Sequence, residues 1–193
     1  MSRVDIISKG FISWLRRKHH YDRYKIVKSL IKDKGENLLD IGCGSPCNDM
    51  PEGAFLRTLG YGTGLDIEPR DIPFKFVLGR IEKLPFKDKS FDAVTAIEVI
   101  EHVEDTNVAL NELSRVLKDD GTLVITTPNN HLFFKMVWFF WERIIGKEWK
   151  HTHVSSYNKK RWLAKIRKND KFKVIYLKNY WGVNLIMKLK KIK

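Results

Sequence analysis

Residues Leu38 to Ser45 change character in mid-run: a strand-like Leu38-Leu39-Asp40-Ile41 breaks into Gly42-Cys43-Gly44-Ser45. A strand that breaks into close-set glycines lets a ligand touch the backbone where no Cβ intervenes. A second acid, Asp66, follows Asp40 by 26 residues in Leu65-Asp66-Ile67. A carboxylate at the end of the next strand can accept both hydroxyls of a ribose; taken alone, it also reads as a loop aspartate that caps a helix. The turn continues Ser45-Pro46 and lacks the third glycine of G-x-G-x-x-G, which argues against NAD or FAD. A third group, Glu98, Glu101 and His102, stands at i, i+3 and i+4, so that on a helix it would share one face. With His151 and His153 further on, these side chains are a candidate divalent-cation set that could hold two substrate oxygens and acidify a hydroxyl. The metal-free use of the same residues makes His102 or His153 a base or hydrogen-bond donor beside Glu98.

The elements that must position these residues follow from periodicity. Strand signals recur at 37–41, 61–66, 74–78, 91–97, 121–127 and 172–177. Helical spacing covers 4–32 as one or two helices, then 50–58, 98–103, 106–117, 131–145 and 158–168. Alternation of this kind predicts an α/β fold with a mostly parallel sheet covered on both faces, its crevice at the carboxyl ends of the central strands. A length of 193 residues fits one domain. Within it, 1–35 reads as a helical cap, 36–130 as the core, 131–160 as a lid over the acceptor and 161–193 as a basic C-terminal part.

The net charge of +13 is unevenly spread. Residues 1–35 hold ten Lys/Arg against three Asp/Glu and 159–193 hold thirteen against one, so the stretch that carries the glycine turn is acidic. Basic ends read as a solvated surface or as a grip on polyanions, either RNA or an anionic membrane face. Cys43 and Cys47 are too few for a disulfide framework and form no CxxC, which points to a reducing, cytoplasmic setting. Residues 1–20 lack an apolar h-region, and the apolar run Leu132 to Trp141 is ten residues long and contains Lys135. Neither reads as a signal peptide or a membrane span, although exposure of that run would suit a peripheral position on a membrane.

More specific are Glu82-Lys83-Leu84-Pro85-Phe86, then Ser90-Phe91-Asp92-Ala93-Val94, Ile97-Glu98-Val99-Ile100-Glu101-His102-Val103, and Leu113-Ser114-Arg115-Val116-Leu117 before Asp120-Gly121. With Asp-Ile-Gly-Cys-Gly ahead of them, this ordered set resembles the class I S-adenosylmethionine-dependent methyltransferases over roughly 36–130. The resemblance implies a doubly wound, Rossmann-like sheet of seven strands in a three-layer sandwich, with a shortened last strand as a variant. It also implies S-adenosylmethionine as cofactor. Asp40, Gly42, Cys43 and Gly44 then wrap the methionine part, Asp66 holds the ribose and Ile67 packs on adenine. Ile81 lies at the adenine edge, while Ala96 and Ile97 form the floor beneath the sulfonium. Relatives often carry an acid just before the Ile81 position; here it is Arg80, which offers no acceptor, so either Glu82 substitutes or backbone and packing hold the ring. Methyl transfer needs no protein nucleophile, so Cys43 reads as a packing residue.

The Glu-x-x-Glu-His run and Thr127-Pro128-Asn129 resemble two branches of the superfamily, the ubiquinone-type catechol O-methyltransferases and the small-RNA 2′-O-methyltransferases. The second of these holds magnesium with such residues. The expected activity is methyl transfer to a small-molecule acceptor at oxygen. The alternatives are a metal-assisted RNA 2′-O-methyltransferase and a cofactor-binding scaffold without catalysis.

Overall fold

The computed structural model describes residues 3–32, 37–45, 50–129 and 157–192, with residues 3–9, 11 and 12 described by backbone alone. The expected helix at 131–145, most of the expected lid, Pro46, His151 and His153 lie outside the described residues.

Helix α1 (Arg3–Ile31) leads into β1 (Leu38–Ile41), α2 (Ala54–Leu59), β2 (Thr63–Asp66) and β3 (Lys75–Leu78). Strand β4 (Phe91–Ile97), a 3-10 turn (Ile100–His102), α3 (Thr106–Val116) and β5 (Leu117–Pro128) follow; α4 (Lys159–Asn169), β6 (Phe172–Tyr180) and β7 (Asn184–Lys191) complete the order. The segment 4–32 is thus one helix, and 98–103 holds only the 3-10 turn Ile100–His102 where helical spacing is expected. Helix α3 starts where Asp105 accepts hydrogen bonds from the amides of Asn107 and Val108. Strand β5 begins at Leu117, ahead of the expected 121. Its pairing with β4 skips between Phe91–Leu117 and Ala93–Thr122, and Asp120 there has a left-handed backbone (φ 62°).

The seven strands are ordered β3-β2-β1-β4-β5-β7-β6, with β7 antiparallel to both its neighbours and the other pairs parallel. Strand β7 is a correction in two respects. Periodicity marked six strands, and the stretch Met187-Lys188-Leu189-Lys190 looked like part of a basic tail. In the structure it is a full strand whose Leu185, Ile186, Met187 and Leu189 are buried. It is not shortened, because its seven pairs with β5 extend from Thr122 to Pro128. Buried on both faces, it loses the apolar–polar alternation that marks a half-exposed strand.

Alternate residues serve opposite layers. Val94, Leu123 and Ile125 pack with Leu110 and Leu113 of α3 and Trp162 and Ile166 of α4. Ala93, Val124 and Ile186 pack with Tyr24, Val27 and Ile31 of α1 and Phe55 and Leu56 of α2. Trp162 is fully buried and meets Tyr157 edge-on at 5.2 Å. Trp162→Ala is expected to destabilise the fold by about 3–5 kcal/mol in urea unfolding; a midpoint equal to wild type would show that α4 contributes no core.

Candidate functional site

The strand order reverses between β1 and β4, and in an open α/β sheet ligands bind at that point, beyond the carboxyl ends of the strands. A cavity of about 780 Å³ lies there, walled by the residues after β1, β2 and β4, by α1 and by the β6–β7 turn.

The glycine turn is tied across the sheet. The Gly42 and Cys43 amides donate to the Leu65 carbonyl at 2.7 and 3.2 Å. Gly42 has φ 69°, and a Cβ on it would stand 2.3 Å from Val99 Cγ2. The Gly44 amide donates to Asp66 Oδ2 at 3.0 Å, so turn and acid form one unit. Asp66 Oδ1 accepts from the Glu68 amide at 3.1 Å and from Arg70 Nη2 at 3.2 Å. Three of about four lone-pair positions on the carboxylate are thereby taken. Arg70 also reaches Glu68 at 2.8 Å and Glu52 at 3.3 Å, which fastens the loop after β2 to the segment before α2. Sequence reasoning missed this arginine; an Arg four residues past the acid, beside Pro69, was the available signal.

Asp40 is buried, and Thr95 Oγ1 donates to its Oδ1 at 2.6 Å. Burial pushes its carboxyl up to about 7, Thr95 opposes this and the Asp66 charge adds to it. Burial likewise raises the Cys43 thiol to about 12, which leaves a neutral sulfur suited to packing. Ile67 is exposed along the cavity wall, and Ile81 and Glu82 line the same end. Glu82 Oε2 lies 3.7 Å from Arg80 Nε. Ile97 lines the cavity, whereas Ala96 does not: it is wholly buried within the sheet core.

Glu98, Glu101 and His102 all line the cavity, but not as one helical face. Glu98 has a left-handed backbone (φ 57°) ahead of the 3-10 turn, so the three are not set by an α-helical repeat. Its carboxylate accepts from Thr126 Oγ1 at 2.7 Å and Asn184 Nδ2 at 2.9 Å, and pairs with Arg23 Nη1 at 3.1 Å. Glu101 is buried, and burial together with the neighbouring Glu98 charge pushes its carboxyl well above the ordinary range. His102 is exposed. Among the described residues, no three His, Cys, Asp or Glu side chains converge on a metal position.

The other wall comes from the segment read as a cap. His19, His20 and Arg23 of α1 line the cavity opposite Glu98. Arg23 is nearly inaccessible and lies 2.8 Å from His20 Nδ1, which therefore accepts. His19 Nε2 lies 3.0 Å from Asn184 Oδ1, and its ring is 5.2 Å from that of Tyr180 and 5.3 Å from that of Trp181. The His19-His20 doublet four and three residues before Arg23 was the only sequence signal for this wall; Asn184 and Trp181 had none.

Residues 39–125 match the methyltransferase domain family. An uncharacterised protein of Methanocaldococcus jannaschii is 32% identical over 158 residues, 78% of this chain and 58% of that protein. The demethylmenaquinone methyltransferase of Streptomyces avermitilis is 33% identical over 108 residues, 53% of this chain and 47% of that enzyme. The chain thus spans about half the length of these two relatives. Among solved structures, a Thermotoga maritima protein described as an S-adenosylmethionine-dependent methyltransferase superposes with a TM-score of 0.71. It is 19% identical, with 98% of this chain and 96% of that chain covered, a likeness of fold.

Proposed function

The chain belongs to the class I S-adenosylmethionine-dependent methyltransferases, and from that premise we propose that it methylates an oxygen atom of a small-molecule acceptor. The observation that carries this reading is the joined glycine turn and acid, Gly44 N–H to Asp66 Oδ2, at the mouth of one large cavity. The residues fit the cofactor: Gly42 takes a left-handed turn in which a Cβ would strike Val99, so the turn stays bare, and Asp40 lines the cavity as the anion assigned to the methionine ammonium. Asp66 offers the ribose its one remaining lone-pair position, and releasing Arg70 frees a second. Ile67 and Ile81 offer apolar contact to the adenine, with Glu82 as the acceptor for its amino group. When bound, the cofactor supplies a methyl group on a sulfonium. The chain then has to hold the acceptor in line, exclude water and receive one proton.

A divalent cation is the less favoured form of this reading. Glu98 already has three donors, and Glu101 is held towards its neutral form. His102 and Glu98 remain candidate hydrogen-bonding groups after β4, with His151 and His153 assigned to the segment that follows β5. The likeness to a demethylmenaquinone methyltransferase makes a quinone, in its reduced quinol form, the first acceptor to test. Helix α4 carries six Lys/Arg and no acid, which supports work at an anionic membrane face in the cytoplasm, with RNA as the rival polyanion. Among the described residues no helix is long and apolar enough to cross a membrane.

Calorimetry with S-adenosylmethionine, followed by a methyl-transfer screen over quinols, lipids, sugars and short RNAs with and without magnesium, tests this reading. Asp66→Ala is expected to weaken cofactor binding by about 1–3 kcal/mol through the lost hydroxyl bonds; unchanged affinity would place the ribose elsewhere. Absence of binding at millimolar cofactor would leave only a scaffold role. Transfer to RNA with a steep salt dependence would move the acceptor to that class.

A further inference from the structure

We propose that His19 is the base that receives the acceptor's proton, presented in one fixed tautomer through Asn184 and Glu98. This rests on the methyl-transfer reading above.

Fixed chemistry runs along the chain of contacts. The Glu98 carboxylate is paired with the Arg23 guanidinium and accepts from Thr126, and the Asn184 group that donates to its Oε2 at 2.9 Å is the amide NH₂. That orientation turns Asn184 Oδ1, an acceptor, towards His19 Nε2 at 3.0 Å. The hydrogen of a neutral His19 ring therefore sits on Nε2, and the lone pair is left on Nδ1. Among the described residues Nδ1 makes no hydrogen bond, and the ring lines the cavity. The relay has little freedom. Glu98 is anchored by Thr126 and by Arg23, one turn along α1 from His19, and its backbone is held at φ 57°. Strained backbone of this kind persists only where its surroundings over-determine it. Tyr180 and Trp181 fix the plane of the ring from the β6–β7 side.

The charges facing the ring agree with a neutral resting state. Burial and the Arg23 guanidinium lower the His19 pKa, against smaller opposing contributions from Glu98 and Asp22. His20 and Tyr180 are the other titratable groups whose rings lie beside it. In the step itself the acceptor hydroxyl gives its proton to His19 Nδ1 and its oxygen gains the methyl group. The methyl–sulfur bond breaks with its electron pair left on sulfur, so the sulfonium becomes a neutral thioether. Asn184 touches neither partner and is a positioning residue.

Nitrogen-15 NMR of the histidine rings in the full chain reads the tautomer without any acceptor. The expected result is the Nε2–H pattern for His19 near neutral pH, replaced by a mixture of tautomers in Asn184→Leu. A wild-type His19 ring that is Nδ1–H, or charged near neutral pH, overturns the proposal. With 1,4-naphthoquinol as probe acceptor, His19→Gln is expected to lose at least ~100-fold in kcat while keeping its calorimetric affinity for S-adenosylmethionine. Wild-type kcat in that variant also overturns it. Where the probe is not methylated, the ring pattern alone decides. Failure of the methyltransferase reading is a different result, loss of cofactor binding in the wild-type chain, and leaves the tautomer measurement readable.

Discussion

Replacing Gly42 with alanine is expected to abolish binding of S-adenosylmethionine and to destabilise the fold by ~2–5 kcal/mol, as the sum of a left-handed backbone penalty and an overpacked contact. Both contributions are local and unavoidable. The backbone at Gly42 has φ 69°, and the added Cβ would stand 2.3 Å from Val99 Cγ2. Val99 is β-branched and stiff at χ1, so it yields only if the segment after β4 moves. That segment carries Glu98, and the Gly42 amide is the shorter of the two ties to the Leu65 carbonyl. Displacement therefore reaches both ends of the cavity. Calorimetry and urea unfolding on the same variant check the two parts; wild-type cofactor affinity in Gly42→Ala would refute this account of the turn.

Asp40→Asn is expected to be stabilising at alkaline pH and nearly neutral in acid. The folded carboxyl is raised from an ordinary 3.8 to about 7, so between these values the folded chain holds a proton that the unfolded chain has lost. Stability therefore falls as pH rises through this window, by up to about 4 kcal/mol for an isolated group. Asparagine removes that loss and keeps an oxygen for Thr95 Oγ1 to donate to. The variant should unfold at higher urea than wild type above neutral pH, with the gap closing towards pH 4. A gap independent of pH would show that Asp40 is ionised throughout. The same residue makes an opposite demand on binding: a cationic ammonium needs the ionised carboxylate. Wild-type affinity for S-adenosylmethionine should rise with pH through about 7, and that of Asp40→Asn should stay weak and flat.

The glycine-turn half of the cavity was legible because its signals are local. Asp40-Ile41-Gly42-Cys43-Gly44 and Asp66 lie at strand ends of the expected parallel sheet, and the structure pairs β1 with β2. The departures have physical causes. Ala96 was assigned to the cavity floor, yet strand alternation points it into the core and leaves the wall to Ile97. Spacing of i, i+3 and i+4 joins side chains only on an α-helix, and the left-handed Glu98 cancels that premise. Arg70 left only the weak signal of its place four residues past Asp66, because Asp66, Glu68 and Glu52 meet it through loop geometry and not through any period.

The opposite half of the cavity had no such local signals. Its wall joins His19 and Arg23 near the start of the chain to Asn184 near the end, 165 residues from His19, with Glu98 between them. The sequence by itself determined the α/β alternation, the glycine turn, an acid at the end of the next strand and the family. Only the tertiary structure decided that α1 is a wall of the cavity, that β7 runs antiparallel between β5 and β6, and that Glu98 holds Arg23 and Asn184. The reason is range. Periodicity and turn chemistry report forces between near neighbours, whereas hydrogen bonds between distant segments exist only once the sheet has set its strand order.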